Sequence, residues 1–235
     1  MSSPAARGGD SSAPAISGDT PVVFVVDDDV SVRESLELLI LSAGWRPQTF
    51  ASAEEFLERS PIDGPSCLVL DVALPNLNGL DLQKRIVDRT DVPIIFITGY
   101  GDVPTTVRAM KAGAVEFLTK PFGDDVLESA IGQAIERSRT ALAHQAELRR
   151  LRRYHASLTP REREIMALVV SGLLNKQIAA ELGISEITVK AHRGRVMRKM
   201  QATSLADLVR VAAALDVPLV ARAPDTKVST DTIVQ

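Results

Sequence analysis

The stretch VVFVVDDD at residues 22–29 joins five apolar residues to three consecutive aspartates. An apolar run of this length is typical of a strand buried on both faces of a parallel sheet. Two further apolar runs are followed by a charged residue in the same way: CLVL precedes Asp71, and VEFLT precedes Lys120 and Pro121. In an open α/β sheet such charges gather at the carboxyl edge, where ligands bind. The sequence therefore predicts one charged site that is built from three strands.

Strand-like and helix-like segments alternate five times between residues 21 and 140. The strands are expected near residues 22–27, 47–50, 66–71, 93–98 and 115–119. This alternation predicts an α/β doubly wound five-stranded parallel sheet. With the strand order 2-1-3-4-5, the topological switch point falls between the first and third strands, which end in the aspartates.

Length and charge indicate two modules. The 235 residues are enough for two small domains, and the net charge of -3 hides an asymmetry. Residues 147–222 contain 14 Lys or Arg and 7 Asp or Glu, whereas the remainder contains 13 and 23. A basic module suits a polyanionic partner. On charge alone, however, a basic face that is simply exposed to solvent is an equally good explanation. Cys67 is the single cysteine, so neither a disulfide framework nor a cysteine-rich zinc site is expected within one chain, and we interpret it as core packing.

The two ends of the chain are low in large apolar residues. We therefore expect a disordered head over residues 1–20 and a flexible tail over 218–235. The head lacks the apolar segment of a secretory signal, and no stretch is long enough to cross a membrane. These observations predict a cytoplasmic protein with no membrane partner.

Four motifs in the first 140 residues, VVDDD, LDVALP, ITGYGD and LTKPF, resemble the receiver domain of two-component response regulators. The resemblance implies that Asp71 accepts a phosphoryl group from a sensor histidine kinase. It implies a Mg²⁺ cofactor bound directly by Asp28, Asp71 and the Ala73 carbonyl, and by Asp27 through water. Independently of the family, three crowded carboxylates repel one another unless a cation neutralises them, and oxygen ligands suit Mg²⁺.

The same resemblance makes Thr98 the switch hydroxyl, Phe117 the switch aromatic residue and Lys120 the cation that contacts the phosphoryl group. Pro121 is the candidate for a cis peptide bond in the turn after Lys120. Taken alone, Thr98 is explained by β propensity and Phe117 by core packing, so only the shared pattern favours the switch. Asp29 is better explained as a helix cap than as a metal ligand.

A long helix is predicted from Asp124 to about His155, because apolar residues recur at helical spacing and Pro and Gly are scarce. Its second part, residues 141–157, would be a helical linker. Ser138 and Gln145 interrupt the apolar seam, so a solvated helix is favoured over coiled-coil pairing.

The basic module, residues 158–217, is expected to form four short helices with a helix-turn-helix at their centre. Thr159 caps the first, with Glu162 one residue short of an ideal capping box, and Asn175 to Leu182 is the second. Gly183 supplies the turn and Ser185 caps the third. The inward face of the third helix is assigned to Ile187, Val189, Val196 and Met200.

This segment resembles LuxR-type DNA-binding domains, and with the receiver it places the chain near the NarL/FixJ class of response regulators. The resemblance implies that the third helix enters the major groove of double-stranded DNA. The candidate contacts are Lys176, Thr188, Lys190, Ala191, Arg193, Gly194, Arg195 and Arg198. Lys190 is the main base-reading candidate, and the other basic residues are expected to hold phosphates. Ala191 and Gly194 permit close approach or touch a thymine methyl group.

We therefore predict a non-enzymatic transcription regulator that catalyses only its own phosphorylation and dephosphorylation. Phosphorylation of Asp71 would remodel the fourth helix, residues 103–112, and the last strand, and so favour a homodimer that binds DNA. The alternative is a nucleic-acid-binding regulator whose receiver responds to partner binding without phosphorylation.

Overall fold

The computed structural model describes residues 20–86, 92–99 and 101–219, which form two compact units that divide between His144 and Gln145. The predicted head and tail lie outside these residues except at their inner ends. Within the described residues, no helix is both long and apolar enough to cross a membrane.

The first unit is built on a parallel sheet whose strand order, β2-β1-β3-β4-β5, confirms the predicted topology. Each strand lies within one residue of its predicted bounds. The strands are β1 (Val22–Val26), β2 (Arg46–Phe50), β3 (Ser66–Asp71), β4 (Ile94–Thr98) and β5 (Glu116–Thr119). Every residue of β1, β3 and β4 is buried, as expected for strands covered by helices on both faces.

Helices follow the strands, and the first four begin at polar caps. They are α1 (Val30–Ser42), α2 (Ala53–Glu58), α3 (Gly79–Arg85), α4 (Val103–Lys111) and α5 (Asp124–Ala156). The Asp29 carboxylate accepts a hydrogen bond from the Ser31 N–H at 2.8 Å, which confirms Asp29 as the cap of α1. Ser52 caps α2 in the same way, through the Glu55 N–H at 3.2 Å.

Two apolar layers cover the sheet. One contains Phe24, Phe56 and Phe96, and the other contains Ile40, Leu127 and further residues of α1 and α5. These layers are the two cores that a doubly wound sheet requires. The predicted core position of Cys67 is confirmed, since it is fully buried in the second layer.

Helix α5 is continuous, as the apolar spacing predicts. Ser138 was expected to interrupt the apolar seam and leave the helix solvated, and at this residue that prediction is wrong. Its side chain is fully buried and its hydroxyl accepts a hydrogen bond from the Ser66 N–H, at the start of β3, at 3.1 Å. Residues 124–144 of this helix belong to the first unit, and residues 145–156 belong to the second.

The second unit is helical. Its helices after α5 are α6 (Pro160–Val170), α7 (Asn175–Leu182), α8 (Glu186–Lys199) and α9 (Leu205–Ala214). They enclose an apolar core that includes Ile165, Ile178 and Val189. Gly183 joins α7 to α8 in the left-handed conformation (φ 63°), which glycine adopts without a steric penalty, so the predicted turn is confirmed.

Two predictions for this unit are wrong. The capping box of α6 is complete, because Glu162 N–H donates to the Thr159 hydroxyl at 3.2 Å and the Glu162 carboxylate accepts from the Thr159 N–H at 2.9 Å. Ile187 is not on the inward face of α8. Its side chain is 79% exposed, whereas Val189 and Val196 are buried.

Candidate functional site

The acidic residues that follow β1 and β3 lie together at the carboxyl edge of the sheet. Asp27, directly after β1, is fully buried, and Asp71, the last residue of β3, is 7% exposed. Asp28 is exposed at the rim. One carboxylate oxygen of each residue lies within 4.8 Å of those of the other two. The switch point of the sheet thus brings together three acidic groups from two adjacent strands.

Lys120 connects the two buried acids. Its Nζ donates to Asp27 Oδ2 at 2.7 Å and to Asp71 Oδ2 at 3.0 Å. The lysine follows β5, and its backbone N–H donates to the Thr98 carbonyl at 2.7 Å, which fixes the start of the side chain at the end of β4. The peptide bond between Lys120 and Pro121 is cis.

Burial and charge act in opposite directions on this cluster. Burial raises the pKa of Asp27 above its ordinary value, although hydrogen bonds from Lys120 and from the Asp29 N–H favour the carboxylate. Burial on its own would lower the pKa of Lys120, but hydrogen bonds to Asp27 and Asp71 outweigh it, so the pKa of the lysine is raised. Lys120 therefore keeps its positive charge between the Asp27 and Asp71 side chains.

The donor set fits a small hard cation. Asp27, Asp28 and Asp71 offer clustered carboxylate oxygens, which are the ligands that Mg²⁺ prefers in proteins. One ammonium group faces two buried carboxylates, so a further positive charge would be favoured electrostatically. The exposed Ala73 donates its N–H to Asp71 Oδ1 at 2.9 Å, which places it beside the same carboxylate.

Thr98 and Phe117 lie on the two strands that follow Asp71 along the sheet, β4 and β5. Thr98 ends β4 and is 2% exposed, and its carbonyl is the acceptor for the backbone of Lys120. Phe117, in β5, is half-buried, and its ring centroid is 6.1 Å from that of Phe96. The structure therefore places both predicted switch residues on the strands that lie between Asp71 and the β5 edge of the sheet.

Two residues at this site were not anticipated. Gly79, the first residue of α3, packs so closely against the strand end that a Cβ there would collide with the Asp71 carbonyl oxygen. Arg33, in α1, donates from its guanidinium to the Asp27 carbonyl at 2.7 Å. The Asn78-Gly79 dipeptide after the loop was a usable signal for Gly79, because glycine often marks a close backbone approach.

A second candidate surface lies on α8 and the start of α7. Most of the predicted DNA contacts are exposed there: Lys176, Thr188, Lys190, Ala191, Gly194, Arg195 and Arg198. Arg193 differs, because it is half-buried and donates to the Asn175 side chain at 3.2 Å, which connects α8 to the first residue of α7. His192 is also half-buried, and among the described residues its buried Nδ1 has no hydrogen-bond partner.

Comparisons with known families agree with this division of the chain. Residues 23–132 match the response regulator receiver domain, and residues 156–212 match the bacterial regulatory proteins of the luxR family. The first match includes every residue of the acidic cluster and Lys120. The second includes α6, α7 and α8.

Individual relatives align with both units at once. Nodulation protein W of Bradyrhizobium diazoefficiens is 52% identical over 197 residues, which cover 83% of this chain and 87% of the relative. The transcriptional regulatory protein FixJ of the same organism is 44% identical over 81% of this chain and 93% of its own length. A solved structure of the response regulator StyR superposes with a TM-score of 0.73 at 46% identity, covering 83% of this chain and 98% of StyR.

Proposed function

The chain belongs to the two-component response regulators of the NarL/FixJ class, and from this premise we propose that phosphorylation of Asp71 by a sensor histidine kinase controls its binding to DNA. It is a FixJ-like transcription regulator with a receiver domain and a LuxR-type DNA-binding domain. We assign the receiver to residues 21–140, the helical linker to 141–157 and the DNA-binding domain to 158–217. The observation on which the proposal rests is the bridge that Lys120 forms between Asp27 and Asp71.

Phosphoryl transfer to Asp71 requires position and charge more than covalent machinery. An Asp71 carboxylate oxygen attacks phosphorus, a P–O bond forms, and the P–N bond of a phosphohistidine donor breaks. Lys120, held at 3.0 Å from Asp71, offsets the negative charge that the phosphoryl oxygens bring into a buried site. Mg²⁺ held by Asp27, Asp28, Asp71 and the Ala73 carbonyl would supply further charge neutralisation. The Ala73 N–H, bound to Asp71 Oδ1, orients the carboxylate.

The phosphorylated site would then act on α4 and β5. The Thr98 hydroxyl would donate to a phosphoryl oxygen and draw its loop inward, and Phe117 would turn further toward the core. Thr98 ends β4, and Phe117 lies in β5, the strand that contacts α4. The altered face would favour a homodimer, and two DNA-binding domains would then bind paired half-sites.

The experiment compares wild type with Asp71→Asn in the presence of Mg²⁺ and acetyl phosphate. Phosphoprotein mass, oligomeric mass and affinity for duplexes selected from a random library are measured at one fixed salt concentration, since phosphate contacts make affinity salt-dependent. We expect wild type alone to gain one phosphate, to dimerise and to bind DNA more tightly. Asp81→Asn, an exposed carboxylate paired with Lys84 on α3, is the matched control and should behave as wild type.

The outcomes separate the hypotheses. If wild type is phosphorylated but neither dimerises nor binds DNA more tightly, phosphorylation is not the trigger, and control by partner binding becomes the leading hypothesis. If Asp71→Asn gains phosphate as wild type does, the assignment of Asp71 is wrong.

A further inference from the structure

An isoleucine occupies the first turn of α8, where the proposed DNA surface begins. Ile187 is 79% exposed, and the preceding cap, Ser185, holds this turn in place by accepting the Thr188 N–H at 3.1 Å. An apolar side chain that is mostly exposed contributes little to the folding of its own domain. The residue is therefore available for a contact outside its own domain.

Ile187 is the first member of a narrow strip with little hydrogen-bonding capacity. Ala191 and Gly194 follow it at spacings of four and three residues, so all three lie on one face of the helix. Both are exposed, and a Cβ at Gly194 would meet no atom within 4 Å, so this face is open along its length. We call Ile187, Ala191 and Gly194 the apolar strip of α8.

The charges around the strip identify its occupant. Helix α8 contains five Lys or Arg residues and one acid, Glu186, and Lys190, Arg195 and Arg198 are exposed beside the strip. An apolar protein partner would have to desolvate this ring of cations, whereas the two phosphate backbones of a major groove complement it. The strip then faces the floor of the groove, between the phosphates.

We propose that Ile187 is a specificity-determining residue that selects thymine by packing against its C5-methyl group. This inference rests on the proposed DNA-binding function and names a determinant within it. The N-terminal residues of a recognition helix contact base edges, and the thymine methyl is the apolar group that the major groove presents. Isoleucine has no polar side-chain atom, so it cannot read a donor or an acceptor.

The test removes the methyl group and nothing else. Duplex sites are selected with full-length protein phosphorylated by acetyl phosphate, and each thymine of the selected site is then replaced singly by deoxyuridine. Affinities are measured at one salt concentration for wild type and for Ile187→Ala. Because the side chain is exposed, the variant should fold, and its unfolding temperature verifies this.

We expect one thymine in each half-site at which loss of the methyl group weakens wild-type binding by about fourfold, the effect of removing one buried methyl-sized group. The same replacement should leave the affinity of Ile187→Ala unchanged. Other thymines should behave alike in both proteins. Leu38→Ala, which truncates a 70% exposed leucine on α1 of the receiver, is the matched control and should retain the wild-type pattern.

The remaining outcomes overturn the inference in distinguishable ways. If wild type selects a defined site but every methyl effect persists in Ile187→Ala, Ile187 does not read thymine, while the proposed function stands. If Ile187→Ala instead lowers the measured oligomeric mass of the phosphorylated protein, while the effect of each thymine replacement stays as in wild type, the strip is a protein contact. If wild type selects no site at all, the proposed function fails and this inference fails with it.

Discussion

At the scale of single residues, the geometry around Asp71 depends on a glycine that has no chemical role. Gly79 N–H donates to the Val72 carbonyl at 3.1 Å, and a Cβ at this position would collide with the Asp71 carbonyl oxygen and approach the Leu70 side chain to 3.2 Å. We predict that Gly79→Ala displaces the Asp71 backbone. The receiver should lose about 1–3 kcal/mol of unfolding free energy, and phosphorylation should be roughly tenfold slower.

Mass spectrometry over time with acetyl phosphate measures the rate, and Trp45 fluorescence during denaturation measures stability. Trp45 is the single tryptophan of the chain and packs against the receiver core, so it reports this unit alone. Gly132→Ala, inside α5 where an added Cβ meets nothing within 4 Å, is the control and should stabilise by about 0.5–1 kcal/mol. A wild-type phosphorylation rate in Gly79→Ala would show that the loop after β3 accommodates a side chain.

A second residue-scale prediction concerns pH and the DNA-binding domain. Glu162 accepts from Lys199 Nζ at 2.7 Å and from the Thr159 N–H, and these bonds lower the pKa of its carboxyl from 4.5 to about 2. A depressed folded-state pKa contributes stability above the ordinary pKa, and this contribution is lost as pH falls from 4.5 toward about 2. Glu162→Gln should therefore lower the unfolding temperature at about pH 6 and make it fall less between about pH 6 and about pH 3.

Scanning calorimetry of wild type and Glu162→Gln across this pH range is the measurement. Glu164→Gln, on the same helix with a 55% exposed side chain, is the control and should follow the wild-type curve. Parallel curves for wild type and Glu162→Gln would contradict a depressed pKa at Glu162.

The charged residues of the site were easier to predict from the sequence than the glycine whose missing side chain lets two backbone segments approach each other. Asp27, Asp71 and Lys120 each follow an apolar run, and a parallel sheet necessarily brings such strand ends to one edge. The close approach of Gly79 depends on how the loop between β3 and α3 folds back, which no periodicity encodes. The direction of the Arg33 side chain, from α1 to the Asp27 carbonyl, depends likewise on packing between elements.

At the scale of elements, a buried amide connects α3 to the end of α4. Gln83 is 5% exposed, and its Nε2 donates to the carbonyls of Ala109 and Ala112 at 3.3 and 3.2 Å. We predict that Gln83→Met, which has similar length but no donor, destabilises the receiver by about 0.5–1.5 kcal/mol, because the Ala109 and Ala112 carbonyls lose this hydrogen-bond donor. Amide hydrogen exchange over residues 103–112 should accelerate, since the last turn of α4 is then less well held.

Denaturation followed by Trp45 fluorescence measures the change in the stability of the receiver. Amide hydrogen exchange of peptides from α4 measures the change in the local stability of that helix. Gln133→Met, at an exposed position of α5, is the control and should alter neither. Unchanged exchange in α4 together with a stability loss would mean that Gln83 fills space without restraining the helix.

The apolar pattern of α8 shows how far periodicity predicts an element. Val189, Val196 and Met200 are spaced by seven and four residues, which keeps them on one face, and all three are buried. Ile187 precedes Val189 by two residues, about 200° around the helix, so it cannot share that face. The prediction that Ile187 lies in the core used only the apolar character of its side chain. The angular position, which the sequence also contains, assigns it to the exposed surface.

At the scale of the whole molecule, the proposed dimer has a consequence for the salt dependence of DNA binding. Each DNA-binding domain offers several exposed cations on α7 and α8, including Lys176, Arg195 and Arg198. Neutralised phosphates release counterions, so the slope of log affinity against log salt scales with the number of phosphate contacts. Two domains on one duplex should therefore give about twice the slope of one domain on a half-site.

The measurement is a salt titration of phosphorylated protein on duplexes that contain one or two half-sites. Arg198→Ala should reduce the magnitude of the slope by about 0.9 on the half-site and by about 1.8 on the full site, because the dimer loses one phosphate contact per protomer. Lys84→Ala, which removes an exposed cation from the receiver, should change neither slope. Equal slopes on the two duplexes would mean that one domain binds DNA while the other remains free, and the dimer would then have to act through protein contacts alone.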